Sequence, residues 1–467
     1  MQSKKIWTGL AVTLTAALAF GGAWLMSPSS PLSRSSESPV PSASVDQQAT
    51  VLTPEAVLEY KLPLKTPEEL KTERDRNLAF YKKRVKETPN SFLDLNMLGG
   101  AYLDQARATG ENGWYLLAEQ TANKSLDLQP LNTGAWQVLF NVAQAKHDFA
   151  AAEKLHVKIT SMGKKDSPTV LSNHITQRMS QNELLQSRNA AETWVQIDPQ
   201  LIALMPLAVV KEAQGLLEDA EATLVKGISR EQAYNYTRSA KARGFLGRMM
   251  LKQGQPELAE RFYKEALRIE PHNEMVLGLL GNLYLRQGNY AEALASYKAA
   301  YNYNQSTIFL IKQARTHQLQ GQPEQAEPLY NSAETTLRRE LESNAFGHRR
   351  DLVFLLTHQK AQNPAEAAAH WQEALDLMEQ EYAVRQDAQT VMLYGETLVH
   401  HDQWDKARTL VQKALNQGAV DAELMRLAAR IESHFGEAAK ADAYAQAARA
   451  ADQSALKHEA VFFTASV

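Results

Sequence analysis

The 467-residue chain contains no cysteine. That excludes disulfides, thiol catalysis, thiolate metal sites and a lipid anchor attached through an N-terminal cysteine. Charge of one sign is also lacking. Fifty Lys and Arg against 53 Asp and Glu leave a formal net charge of −3. Nucleic-acid partners require a strongly basic face, so none is expected. Alternating apolar and polar stretches of the strand type are absent, whereas Ala, Leu, Glu, Gln and Lys abound, which points to an all-α chain. Catalytic signatures are missing as well: no Gly-x-Ser-x-Gly, no His-Glu-x-x-His and no glycine-rich phosphate loop after a strand. His400, His401 and Asp402 are adjacent. Consecutive helical positions diverge, so the trio reads as a polar turn before Trp404, as does His147-Asp148 before Phe149. No catalytic, cofactor or metal residue is assigned.

One long apolar run is present. Ile6 to Met26 carries no charge and follows Lys4 and Lys5. Its length suits a bilayer core of about 30 Å, and the leading lysines favour a cytoplasmic N-terminus. The run reads as a transmembrane signal-anchor. A cleaved signal peptide, with Gly21 and Ala23 before the cut, is the alternative. Residues 27–53 are rich in Ser and Pro and cannot bury enough surface to order themselves. As polyproline II this linker would reach about 70 Å, and as a coil about 25 to 30 Å. It is either a tether of set length or a passive spacer. Residues 54–90 form an N-terminal capping region, in which Thr66-Pro67-Glu68-Glu69 has the form of a capping box. Leu78, Tyr81 and Val85 then share a face, and Thr88-Pro89 ends the helix.

A fixed period dominates the remainder of the chain. Leu246, Gly247, Met250, Gly254, Ala259, Tyr263, Ala266 and Pro271 superpose at an offset of 34 on Leu280, Gly281, Tyr284, Gly288, Ala293, Tyr297, Ala300 and Gln305. Such a period marks a helical solenoid. Leu246 and Met250 share one face of a first helix, and Gly247 makes room for a neighbour. Gly254 turns the chain. Ala259, Tyr263 and Ala266 line a second helix, which Pro271 stops. The pattern resembles the tetratricopeptide-repeat consensus. Weaker units run through Leu98-Gly99-Tyr102, with an insertion near Ala108 to Trp114, then Trp136-Leu139-Ala152, Trp194-Pro199 and Leu207-Ala208-Gly215-Ala220. Others run through Gly321-Ala326-Tyr330-Ala333, Ala367-Trp371-Ala374, Gly395-Ala407-Ala414 and Gly436-Ala441-Ala448. The resemblance implies a right-handed α-solenoid of about ten hairpins over residues 91–455, with a tail at 456–467.

In that family the first helices line the concave face. On this register Lys241, Arg248, Lys252, Asn282, Arg286 and Arg315 point inward and suit a protein or peptide with an acidic segment. A solvated helix face, with its cations paired to Glu residues, is the alternative. Asn282 resembles the asparagine of dicarboxylate-clamp repeats, but Gly278 stands where their lysine would be, so that clamp is incomplete. The resemblance implies a non-catalytic interaction scaffold on a bacterial-type inner membrane. Its repeats would lie in the periplasm and aid an envelope, secretion or polysaccharide-export complex. A periplasmic carrier and an envelope enzyme with unrecognised catalytic residues are the alternatives.

Overall fold

The computed structural model describes residues 52–343, 347–358 and 363–456. The apolar run at 6–26 lies outside them. Among the described residues no helix is long and apolar enough to cross a membrane, and all regular structure is helical.

Short-range chemistry sets the helix boundaries. Helix α1 (Pro67–Glu87) opens with the expected capping box: Glu69 N–H donates to Thr66 Oγ1, and Thr66 N–H donates to the Glu69 carboxylate. Side chains of Ser91, Asn132, Asp148, Ser167, Asn273, Asp387 and Asp421 likewise accept from first-turn N–H groups of the helices they precede.

Ten helical hairpins come after α1. They are α2 (Phe92–Thr109) with α3 (Gly113–Leu128), α4 (Thr133–Ala145) with α5 (Phe149–Met162), and α6 (Pro168–Ser180) with α7 (Leu184–Ile197). Next come α8 (Leu201–Ala213) with α9 (Leu217–Ile228), α10 (Tyr236–Lys252) with α11 (Pro256–Ile269), and α12 (Glu274–Arg286) with α13 (Tyr290–Asn304). The last four pair α14 (Thr307–Leu319) with α15 (Pro323–Glu342), α16 (Arg349–His358) with α17 (Pro364–Val384), α18 (Ala388–His400) with α19 (Trp404–Asn416), and α20 (Ala422–His434) with α21 (Ala438–Ala451). The insertion near Ala108 lengthens α2 to 18 residues, against 13 for α4.

Close approach of helices explains the repeated glycines. A Cβ on Gly247 would stand 2.7 Å from the Tyr263 ring, and one on Gly281 would stand 2.7 Å from Cδ1 of Tyr297. Both tyrosines are fully buried. The glycine and the aromatic beyond it form one packing unit in each central repeat.

A second set of contacts has no counterpart in the repeat period. The superhelix returns on itself, and turns within early hairpins seat on linkers between late ones. Tyr303 donates to the Ala108 carbonyl at the turn of hairpin 1. Gly347 N–H donates to Lys146 O at 3.0 Å, Gln386 N–H to Ser180 O at 2.7 Å, and Val420 N–H to Ala213 O at 2.9 Å. Gln181 Nε2 reaches Val384 O at 2.8 Å, and Asn182 Nδ2 reaches Ala414 O at 3.1 Å. Turns of the first coil thus carry linkers of the second. At the turn of hairpin 2, the His147 ring lies edge-on to His348, whose Nδ1 is 2.8 Å from Glu340 Oε2. Burial, then His348 and two arginines, hold His147 well below the usual histidine range.

Residues before α1 are also docked. Tyr60 N–H donates to Glu265 at 2.7 Å, and Arg268 donates to Tyr60 O at 2.9 Å. Arg243, fully buried, gives its Nε to Leu58 O at 2.8 Å and its two terminal nitrogens to Glu231.

Replacing Gly281 by Ala should overpack the contact with Tyr297 and lower stability by about 1–3 kcal/mol. Equilibrium urea unfolding followed by circular dichroism measures this. An unchanged midpoint would show that Tyr297 moves aside at no cost.

Candidate partner-binding face

The first helices α10, α12 and α14 carry the six polar residues singled out by the repeat register, and most are already engaged within the chain. Arg248 and Lys252, one turn apart on α10, converge on Glu212 at the end of α8. Arg248 Nε is 3.0 Å from Glu212 Oε1, and Lys252 Nζ is 2.9 Å from the same oxygen. Burial pushes the Glu212 carboxyl up, but Arg248 and Lys252 overcome it and hold the group at about 2. Arg286 ends α12 and pairs with Asp452 at 3.1 Å, with Ser454 also in hydrogen-bond contact. The segment after the last hairpin therefore lies against this face.

Asn282 is buried. Its Oδ1 accepts from Tyr297 Oη at 2.8 Å and from Lys312 Nζ at 2.9 Å. An asparagine in that position serves the core between α12, α13 and α14. Lys241 is half-buried on α10, and its charge opposes the upward shift that desolvation gives the half-buried Glu274 carboxyl. Arg315 donates to Gln318 at 2.8 Å, and Gln318 also accepts from Tyr330. The structure thus brings Arg248 and Lys252 together and gives the other four separate partners.

Glu212, Lys312 and Asp452 are contact partners that the repeat register does not single out. Glu212 precedes Arg248 by 36 positions, close to one repeat period, which is the signal that could have found it. Asp452 has no such signal, because its contact spans 166 positions. Among the described residues no group of three His, Asp or Glu is arranged to hold a metal. His400–His401–Asp402 forms the expected turn, with Asp402 at φ 55°.

The surface is asymmetric in apolar character. Every exposed large apolar side chain among the described residues lies between Leu52 and Tyr234. Leu116 and Leu117 on α3, Val157 on α5 and Leu185 on α7 stand on second helices of successive hairpins.

Tetratricopeptide-repeat family models match residues 250–307 and 279–340. The chain carries tetratricopeptide repeats across residues 250–340. The matched span includes the Gly281–Tyr297 packing unit and the Asn282–Lys312 bond. A solved tetratricopeptide repeat protein from Parabacteroides merdae is 17% identical and covers 53% of this chain and 93% of that one, at a TM-score of 0.36. The Cut9 and Hcn1 hetero-tetramer of APC/C is 11% identical, with 82% and 81% coverage and a TM-score of 0.37. The human IFIT1 dimer with PPP-AAAA is 15% identical, with 85% and 97% coverage and a TM-score of 0.39. No curated protein matches the sequence significantly.

Within this repeat array Lys312 is the outlying charge. Burial lowers its ammonium from 10.5 to about 7, with Asp351 opposing the shift. Between about pH 7 and 10.5 the unfolded chain holds a proton that the folded chain has released. Stability therefore rises with pH across that window. Lys312→Met should flatten this rise and raise the unfolding midpoint at pH 7, since Asn282 keeps its bond from Tyr297. Urea titrations at pH 7 and 9 test it; a mutant curve parallel to the parent would refute the assignment.

Proposed function

We propose that this chain is a non-catalytic scaffold that holds another protein on the outer face of its first four hairpins. The observation that carries the reading is the restriction of exposed large apolar side chains to residues 52–234. Soluble surfaces rarely keep such residues grouped unless a partner covers them. In the second half of the array, a comparable length of the same repeat exposes none among the described residues.

The concave cations enter this reading in a restricted way. Glu212 already pairs with Arg248 and Lys252, and Asp452 with Arg286. An acidic segment of a partner would reach Arg286 by displacing Asp452, the acid on the segment after the last hairpin. Lys241 and Arg315 would flank such a segment from neighbouring first helices, whereas Asn282 stays in the core.

For location, Lys4 and Lys5 before the uncharged run from Ile6 to Met26 support a single-pass anchor with the repeats in the periplasm. The Ser- and Pro-rich residues 27–53 would then hold the array away from the bilayer. An anchored array of this kind suits assembly of an envelope, secretion or polysaccharide-export complex.

Photo-crosslinkers placed at Leu116 and Leu185 in intact cells should capture the same partner, and one at Lys298 on the exposed face of α13 should capture little. Equal capture from all three positions would overturn the assignment of the face. A reporter active only in the cytoplasm, fused after Val467, should stay silent; activity would reverse the proposed topology.

A further inference from the structure

The intramolecular seam leaves two edges of the superhelix uncovered, and they complement each other. In the first coil the turn glycines are occupied from above. Gly110 faces Asn304, Gly215 faces Val420 and Gly254 faces Gln453. In the second coil Gly288, Gly321 and Gly436 sit at the same place in their hairpins, with nothing within 4 Å of where a Cβ would stand.

The opposite edge shows the reciprocal pattern. In the seam the donor stands two residues before a first helix: Gly347 before Arg349, Gln386 before Ala388, and Val420 before Ala422. In the first coil the same position before α4 is Leu131, and before α10 it is Tyr234. Leu131 is 68% exposed, the highest value among the exposed large apolar residues, and Tyr234 is 61% exposed. Leu93 and Leu128 are exposed beside Leu131. A chain of bonds joins their elements, since Ser125 donates to Phe92 O and accepts from Asn132. Leu131 N–H reaches the Gln129 side chain at a long 3.4 Å. A large apolar residue thus lies open at the register position where Val420 fills the space over Gly215.

We infer that this edge docks on a second copy of the chain, head to tail, with Leu131 seated over Gly288 of the neighbour. The linker at 163–167 then lies along the turn that holds the neighbour's Gly321. Continuity with the seam selects this occupant. The contact repeats, between molecules, the geometry that already joins hairpins 2 to 4 to the linkers before hairpins 8 to 10. Its extent is bounded. Pro199 occupies the donor position before α8 and has no N–H to give. Further along, the segment before α1 crosses near α10, where Tyr236 donates to Pro63 O at 3.1 Å. Because the two surfaces lie on opposite edges, the contact is heterologous and adds copies in a row.

The chain has no cysteine, so engineered ones are unambiguous. In detergent-solubilised full-length protein, Leu131→Cys combined with Gln287→Cys should give an oxidised ladder of dimers, trimers and higher species. Each single variant should stay largely monomeric. Leu131→Asp and Gln287→Asp, both at exposed positions, should each weaken concentration-dependent sedimentation by about tenfold or more, while leaving the unfolding midpoint unchanged. Mixing the two Asp variants should restore one contact and stop at dimers. Efficient dimers from Leu131→Cys alone would indicate a symmetric contact and overturn the proposal. So would a single sedimentation coefficient at every concentration, or an Asp pair that fails to associate when mixed.

Discussion

The seam between the two coils of the superhelix is the constraint on which the rest depends. An open solenoid contacts only its neighbours in sequence, so each hairpin is held by two interfaces and the array can flex along its length. Here a third interface is added. Backbone bonds at Lys146, Ser180 and Ala213 tie hairpins 2, 3 and 4 to linkers far along the chain, at Gly347, Gln386 and Val420. Backbone groups cannot be exchanged by substitution, so the seam tolerates side-chain change while fixing pitch. It also buries polar groups that must then find partners. His147, His348 and Glu340 meet there, away from water, and so do Arg350, Arg385 and Asp387.

Closing the coil changes the meaning of the inward charges. Had α10, α12 and α14 lined an open groove, Arg248, Lys252 and Arg286 would have faced solvent and waited for an acid. In the closed form burial makes an unpaired charge costly, so the chain supplies its own acids. Glu212 meets two cations, and Asp452 comes from beyond the last hairpin. Arg248, Lys252 and Arg286 thus find their acids within the chain, while the exposed large apolar side chains among the described residues lie in its first half.

Local features of the fold are legible in the sequence because they repeat at short range. Leu246 and Gly247 against Leu280 and Gly281 set the period, and the glycine–tyrosine pairs stand in the structure as the pattern implies. Thr66 and Glu69 form the box that their spacing suggests, and Glu270 caps α11 directly before Pro271. Superhelical closure is not legible. Which turn meets which linker depends on a small rotation summed over several hairpins, and no residue encodes that sum. His147, Asn182 and Asp402 adopt the left-handed turn that other repeats give to glycine. They obscure the period in the outer units for the same reason that two of them serve the seam: a side chain at that position can reach the next coil.

The residues before α1 owe their place to the same geometry. The coil needs something beneath hairpins 4 and 5, where no earlier hairpin exists to supply a turn. The chain lays Leu58 to Pro63 there as a strap, with Arg243, Glu265, Arg268 and Tyr236 binding its backbone. Arg243 is the decisive member, because a fully buried guanidinium that lost Leu58 O would keep a desolvated donor without an acceptor. Strap and core thus require one another. A further consequence concerns load. Residues 54–57 pack against α9 and the strap then crosses α10 and α11, so the described chain enters the array at hairpins 4 and 5 and reaches hairpin 1 only through α1. Any pull arriving from residues before Leu52 falls first on α9, α10 and α11, at the centre of the array. A load applied there is borne by the middle of the array rather than by its ends.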